Sequence, residues 1–250
     1  MEQYPIRISV VSYLNALPFV AGLKGNSNDG KYTFSLDIPS ICAEKLICGE
    51  VDLGLIPVAK IADMQSPIIL TNYCIGADGE VLSVLIVANQ ELDQLTNIIL
   101  DSESRTSVEL AKILVRDFWK KEIQWNEETG YDIMNLPENY GAVIIGDRAL
   151  LARKHYPFSY DLGTAWKKHT GLPFVFACWV ANKFISDETE QYLNMIFENG
   201  LAQREKILEE KLTKFNEINI RNYFFEHIKY NLTAEARKGL GLFLELRKTI

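Results

Sequence analysis

Hydrophobic and polar positions follow two rhythms over the first 180 residues, with short apolar runs alternating with stretches of helical spacing. Ile6–Val11 reads as a strand. Pro39 and Ser40 open a helix that runs to about Cys48, with Gly49 as its stop. Leu53–Ile56, closed by Pro57, and Ile68–Leu70 read as short strands. The run 81–88, VLSVLIVA, is longer and almost wholly apolar, as expected for a strand covered on both faces. A second set follows: strand Asn97–Leu100, helix Ser107–Trp119, strand Gly141–Ile145 with Asp147 poised to start the next helix, and strand Val175–Ala181. Beyond Asp187 the spacing of Leu193, Ile196, Phe197 and Leu201, and then of Leu240, Phe243 and Leu244, predicts helices only. Thr233 and Glu235 open the last one.

Strand, helix, strand is the order of a mostly parallel sheet with right-handed crossovers. No repeat, low-complexity tract or Pro/Gly/Ser linker parts the two sets. The expected joints are the long strands 81–88 and 175–181. That predicts an α/β, periplasmic-binding-protein-like (type II) two-lobed clamp with a helical C-terminal region. Lobe one takes residues 1–87 plus 179–250, and lobe two takes 88–178. Ligands of such folds sit beyond the carboxyl ends of the strands.

Composition narrows the function classes. A chain of 250 residues with 48% hydrophobic content can bury a sizeable core. Its net charge of -7 argues against nucleic acid as a partner, since phosphate neutralisation needs a basic face. The start MEQYPIRISVV lacks the pattern of a secretory signal. No window approaches the roughly 18 apolar residues of a spanning helix. The expected setting is therefore cytoplasmic, away from the membrane. Cys42, Cys48, Cys74 and Cys178 form no CxxC, and His155, His169 and His227 show no metal-ligand spacing. No metal and no cofactor is expected, and the pattern leaves the oligomeric state unknown.

Five polar loops fall where the clamp would gather its chemistry. Ser12 opens the first, followed by Asn15, an amide that can donate and accept, or that can simply cap the helix begun by Pro18. The second, Gly76–Val81, leads to Ser83, a hydroxyl in an apolar run. It needs a partner, either backbone or ligand. The third, Asp101–Ser107, ends in Ser104, Arg105, Thr106 and Ser107. A hydroxyl-rich helix start with an adjacent guanidinium suits an anion, while Thr106 and Glu109 have the spacing of a capping box. The fourth carries Gly146 and Asp147, the latter an N-cap or a partner for a ligand hydroxyl. The fifth, Thr170–Phe174, brings Phe174, either core or ligand platform.

The segments SYLNALPF at 12–19, GEVDLGLIPV at 49–58, GEVLSVLIV at 79–87, DSESRTSVELA at 101–111, IIGDRAL at 144–150 and DLGTAWKKHTGLPFVFACW at 161–179 together resemble the chorismate dehydratase family of the futalosine route to menaquinone. The resemblance spans essentially the whole chain. It implies a cofactor-free lyase that dehydrates chorismate to 3-[(1-carboxyvinyl)oxy]benzoate. It also implies that Asn15 and Ser83 stand by the reacting ring and that Ser104–Ser107 hold a carboxylate. Asn15 has no titratable group and Ser83 no visible activating His, so the base is either a carboxylate of the substrate itself or a protein acid such as Asp147. Two other functions fit the same clamp: a cytosolic small-anion sensor, and another futalosine-pathway enzyme such as the dihydroxynaphthoate synthase. The latter's Ser/Pro/Asn/Asp-rich N-terminal motif is absent here.

Overall fold

The computed structural model describes residues 5–100, 104–127, 132, 135–211 and 220–250. Its strands are β1 (Ile6–Val11), β2 (Tyr32–Asp37), β3 (Leu53–Pro57), β4 (Ile68–Ala77), β5 (Val84–Ala88), β6 (Asn97–Ile99), β7 (Gln124–Asn126), β8 (Tyr140–Ile145), β9 (Phe158–Asp161), β10 (Phe174–Ala181) and β11 (Ile228–Asn231). They form two sheets, ordered β11-β4-β10-β3-β1-β2 and β7-β6-β8-β5-β9. The helices are α1 (Leu17–Gly25), α2 (Pro39–Ile47), α3 (Arg105–Asp117), α4 (Gly146–Ala152), α5 (Leu162–Thr170), α6 (Asp187–Ala202), α7 (Arg204–Lys211), α8 (Ile220–Asn222) and α9 (Ala234–Leu246).

Two sheets with their own helices make the expected α/β clamp. The sheets are mixed, however, rather than mostly parallel. β1 pairs in parallel with β2 and β3, and β6 with β7 and β8. β10 runs antiparallel to β3 and β4, β11 antiparallel to β4, and β5 antiparallel to β8 and β9. The antiparallel strands are the ones that return from the other sheet or from the C-terminal helices, so no βαβ crossover constrains their direction. β11 also corrects the expectation of an all-helical C-terminal region. It is only four residues long, too short for its alternation to stand out.

The first sheet draws on 6–77 and 174–231, the second on 84–161. The chain therefore passes between them in 78–83 and again in 171–173, after α5. The expected joints at 87/88 and 178/179 lie inside β5 and β10, where both positions are paired in ladders. β10 is buried along its whole length, which explains its unbroken apolar run. On one face of the first sheet α1 and α6 pack around an aromatic group, with Trp179 stacked on Phe197 at 4.4 Å and Phe19 edge-on to both. One apolar core continues from this sheet into the second.

At the start of β3, buried Asp52 accepts the Arg7 backbone N–H, Nε and a terminal guanidinium N–H at 3.0, 3.1 and 2.7 Å, and Lys183 approaches to 3.0 Å. Burial by itself would raise this carboxyl's pKa. The hydrogen bonds from Arg7, then those from Lys183, overcome that and hold it at about 2. The folded value lies below the unfolded one of about 3.9. The stabilisation is therefore complete above that pH and is lost as pH falls towards about 2. In urea titrations, Asp52→Asn is expected to be less stable than the parent at pH 6, with the gap narrowing steadily from pH 4 to pH 2. A gap that does not change with pH would assign the Asp52 contribution to something other than its charge.

Candidate active site

Between the sheets lies a cleft with a cavity of about 60 Å³. Its walls are mostly apolar: Val11, Pro39, Pro57, Ile75, Val81, Val84, Ile145, Phe176 and Ala177. The polar lining is Tyr13, Asn15, Ser83, Ser104, Thr106 and Ser107, and Gly146 adds bare backbone. Residues from four of the five polar loops thus meet in one cavity, as strand ends facing each other across a clamp should.

Each polar group has a local reason for its place. Asn15 sits in a 3-10 turn, Leu14–Ala16, between β1 and α1. It does not cap α1, whose N-cap is Ala16 with no side-chain bond. Its main-chain carbonyl accepts the Tyr230 hydroxyl at 3.0 Å, which pins the turn to β11. Its side-chain Oδ1 is buried and has no hydrogen-bond partner.

Ser83 closes the crossing segment 78–83 rather than lying inside β5. Its main-chain carbonyl accepts the Gly146 N–H at 2.8 Å, and its hydroxyl accepts that of Tyr223 at 2.9 Å. The two residues before it are held by Asp161, whose carboxylate accepts N–H groups from Val81 at 3.0 Å, Leu82 at 2.8 Å and Thr164 at 2.9 Å. Burial pushes the Asp161 carboxyl above its ordinary range even though these three donors lower it. Leu82 takes a φ of 65°, a conformation that costs a non-glycine residue roughly 1–2 kcal/mol and that surrounding contacts must enforce. Asp161 supplies those contacts.

Ser104 is the N-cap of α3. Its Oγ accepts the Ser107 N–H at 3.3 Å and donates to Ser107 Oγ at 2.8 Å. Thr106 and Glu109 therefore form no capping box, and Ser104, two residues earlier, is the cap instead. Thr106 is buried in the first turn, and its Oγ1 accepts the Ala59 N–H from across the cleft at 3.1 Å. Glu109 instead pairs with Arg247 at 2.7 and 3.0 Å, and with Arg105 at 3.3 Å. Asp101, Ser102 and Glu103, part of the same expected loop, lie outside the described residues.

Four expected site residues do not line the cavity. Ser12 is exposed beside it. Arg105 projects outward with its side chain 59% exposed, held to Glu109. Asp147 lies in the first turn of α4 rather than at its N-cap, which is Ile145, and its Oδ1 accepts the Leu14 N–H at 3.1 Å. It thereby ties the second lobe to the turn that carries Asn15. Phe174 is fully buried between Trp166 and Phe243 and backs Phe176, which does line the cavity, at 4.7 Å. Tyr223 was not legible from the sequence. The apolar setting of Ser83 announced that a partner must exist, but nothing local points to a residue 140 positions away.

Among the described residues no group of three His, Cys, Asp or Glu is placed to hold a metal ion, and no helix is long and apolar enough to cross a membrane. Burial raises the thiols of Cys42 and Cys178 to about 12, and that of Cys74 further still.

The fold and cleft define a two-lobed α/β clamp of the periplasmic-binding-protein kind. The periplasmic aliphatic sulphonate binding protein SsuA from Escherichia coli has the same fold, with a TM-score of 0.59 at 17% identity over 99% of this chain and 94% of that one. The chain belongs to the menaquinone biosynthesis family, which it matches over residues 6–249. It is 26% identical over 230 residues to the chorismate dehydratase of Thermus thermophilus, covering 83% of this chain and 84% of that protein. It is also 26% identical over 251 residues to the chorismate dehydratase of Campylobacter jejuni, covering 96% of each.

Proposed function

We propose that this protein is a chorismate dehydratase that acts in the cytoplasm on the futalosine route to menaquinone. The ring hydroxyl leaves as water with a neighbouring ring proton, and the product is 3-[(1-carboxyvinyl)oxy]benzoate. The observation that carries the reading is the meeting of Asn15 and Ser83 with the hydroxyl-rich start of α3 across an apolar-walled cavity. A cyclohexadiene ring fits such walls, and a carboxylate fits the first turn of α3, where hydroxyls and main-chain N–H groups converge on the positive end of the helix.

The unpartnered Asn15 Oδ1 accepts a hydrogen bond from the departing hydroxyl, while Ser83 donates to that oxygen as negative charge grows on it. Among the described residues, Tyr13 is the sole ionisable group lining the cavity. Asp147, the protein acid weighed for the base, is turned to the Leu14 main chain. A carboxylate of the substrate, held still by the clamp, therefore takes the ring proton and passes it to the departing hydroxide, which leaves as water. Aromatisation supplies the driving force, so orientation and one or two preorganised hydrogen bonds suffice. Opening and closing of the lobes is assigned to 78–83 and 171–173, where the chain passes between the sheets.

Incubating the purified protein with chorismate, without added metal or nucleotide, is expected to yield the aromatic enol ether, read by its ultraviolet and proton NMR signals. Folded protein that binds chorismate but makes no product would be a small-anion sensor. Activity abolished by a chelator and restored by a divalent ion would overturn the cofactor-free chemistry.

A further inference from the structure

We infer that Tyr223 is a positioning residue that sets the hydrogen-bond direction of Ser83, an inference that rests on the active-site reading above. Tyr223 opens the π-helical turn Tyr223–His227 that leads into β11, and its ring is fully buried behind the cavity wall. Its hydroxyl donates to Ser83 Oγ at 2.9 Å.

A serine hydroxyl has one hydrogen to give. When Tyr223 fills an acceptor site on Ser83 Oγ, the serine proton must point elsewhere. Among the described residues, the protein acceptor within reach is the Val81 carbonyl at 3.5 Å, at the outer limit for a hydrogen bond. The remaining direction is the cavity, which Ser83 lines. Tyr223 thus makes Ser83 a donor to bound ligand, and that donor role is what a departing oxygen requires.

The phenol is suited to this task. Burial pushes its pKa far above the usual range, nearby Asp147 adds to the rise, and the hydrogen bonds to Ser83 and Asn15 only partly oppose it. Burial therefore favours its protonated, donating form. Contact with the Asn15 amide also leaves the Asn15 Oδ1 as the unpartnered end of that side chain. One buried hydroxyl therefore orders both polar groups at the ring, from a segment far away in sequence.

The test is Tyr223→Phe, which removes one oxygen and keeps the ring. It is expected to lower kcat for chorismate at least tenfold with KM within threefold, because binding surfaces are untouched while the donor direction is lost. The double variant Ser83→Ala/Tyr223→Phe, which leaves neither partner of the buried bond unpaired, is expected to lose less kcat than the product of the two single losses. A crystal structure of Tyr223→Phe is expected to show Ser83 in more than one rotamer, whether or not chorismate is the substrate. Unchanged kcat, losses that multiply, or a single unchanged Ser83 rotamer would each overturn the inference. A wild-type protein inert towards chorismate would overturn the proposed function alone, leaving the rotamer result to decide the role of Tyr223.

Discussion

Asn15→Ala is expected to slow chorismate turnover by about tenfold to a thousandfold, the range for removing one preorganised hydrogen bond, while costing the fold only about 1 kcal/mol for the hydrogen bond between the amide and Tyr223. The two halves of this result come from the two ends of one amide. Asn15 Oδ1 has no protein partner, so truncating the side chain removes an acceptor that the fold itself does not use. A buried polar atom without a partner is a cost to stability, and a functional group aimed at a ligand is the usual reason to carry it. Ser83→Ala is expected to fall in turnover by a similar factor but to melt earlier, because the buried Tyr223 hydroxyl loses its acceptor at a cost of about 1–3 kcal/mol. Melting temperature and kcat measured on the same samples separate these signatures. Full activity in both variants would remove Asn15 and Ser83 from the chemistry. A large loss of stability in Asn15→Ala would make it a structural residue.

Gly200→Ala is expected to lower stability by about 1–3 kcal/mol, the range for overpacking a filled core, and the melting temperature by several degrees. It is also expected to lower turnover, although it lies far from the cleft in sequence. α1 and α6 cross so closely that a Cβ on Gly200 would stand 2.0 Å from the Pro18 carbonyl oxygen and 2.9 Å from the Gly22 nitrogen. Gly22 faces the Ile196 carbonyl in the same way, at 2.2 Å. Backbone, not a flexible side chain, is what the new methyl meets, so the helices must separate. α1 begins directly after the turn that holds Asn15, and moving it moves that amide. Differential scanning calorimetry with kinetics well below the transition tests both halves. A variant that melts normally would mean the two helices are free to slide apart.

The framework of this protein is written in its local pattern. Unbroken apolar runs marked β3, β5 and β10 because strands covered on both faces need apolar residues at every position. Pro39 opened α2, and Thr233 capped α9, because helix ends need groups that satisfy or dispense with main-chain N–H donors. The loops that follow strands carried the polar residues, so Asn15, Ser83, Ser104, Thr106, Ser107 and Gly146 were legible as candidates before any geometry was known.

What the pattern left undetermined was decided by distance in space. Strand direction depended on how β10 and β11 return to the first sheet, which no window of neighbouring residues encodes. The sequence placed Arg105 at the start of α3 but left open the direction of its side chain, which pairs with Glu109, since a long side chain at a helix start can turn outward as readily as inward. Phe174 and Phe176 have the same composition and the same strand, and only packing against Trp166 and Phe243 settles which of them reaches the cavity. The cap of α3 moved from Thr106 to Ser104 because Thr106 is engaged by Ala59 from the opposite wall. Tyr223 meets Ser83 across 140 residues of chain. Periodicity and capping are properties of neighbours along the chain, and the sequence by itself determined whatever depends on them. The partners of buried polar groups are chosen by the closing of two lobes on one another, and only the tertiary structure decided those.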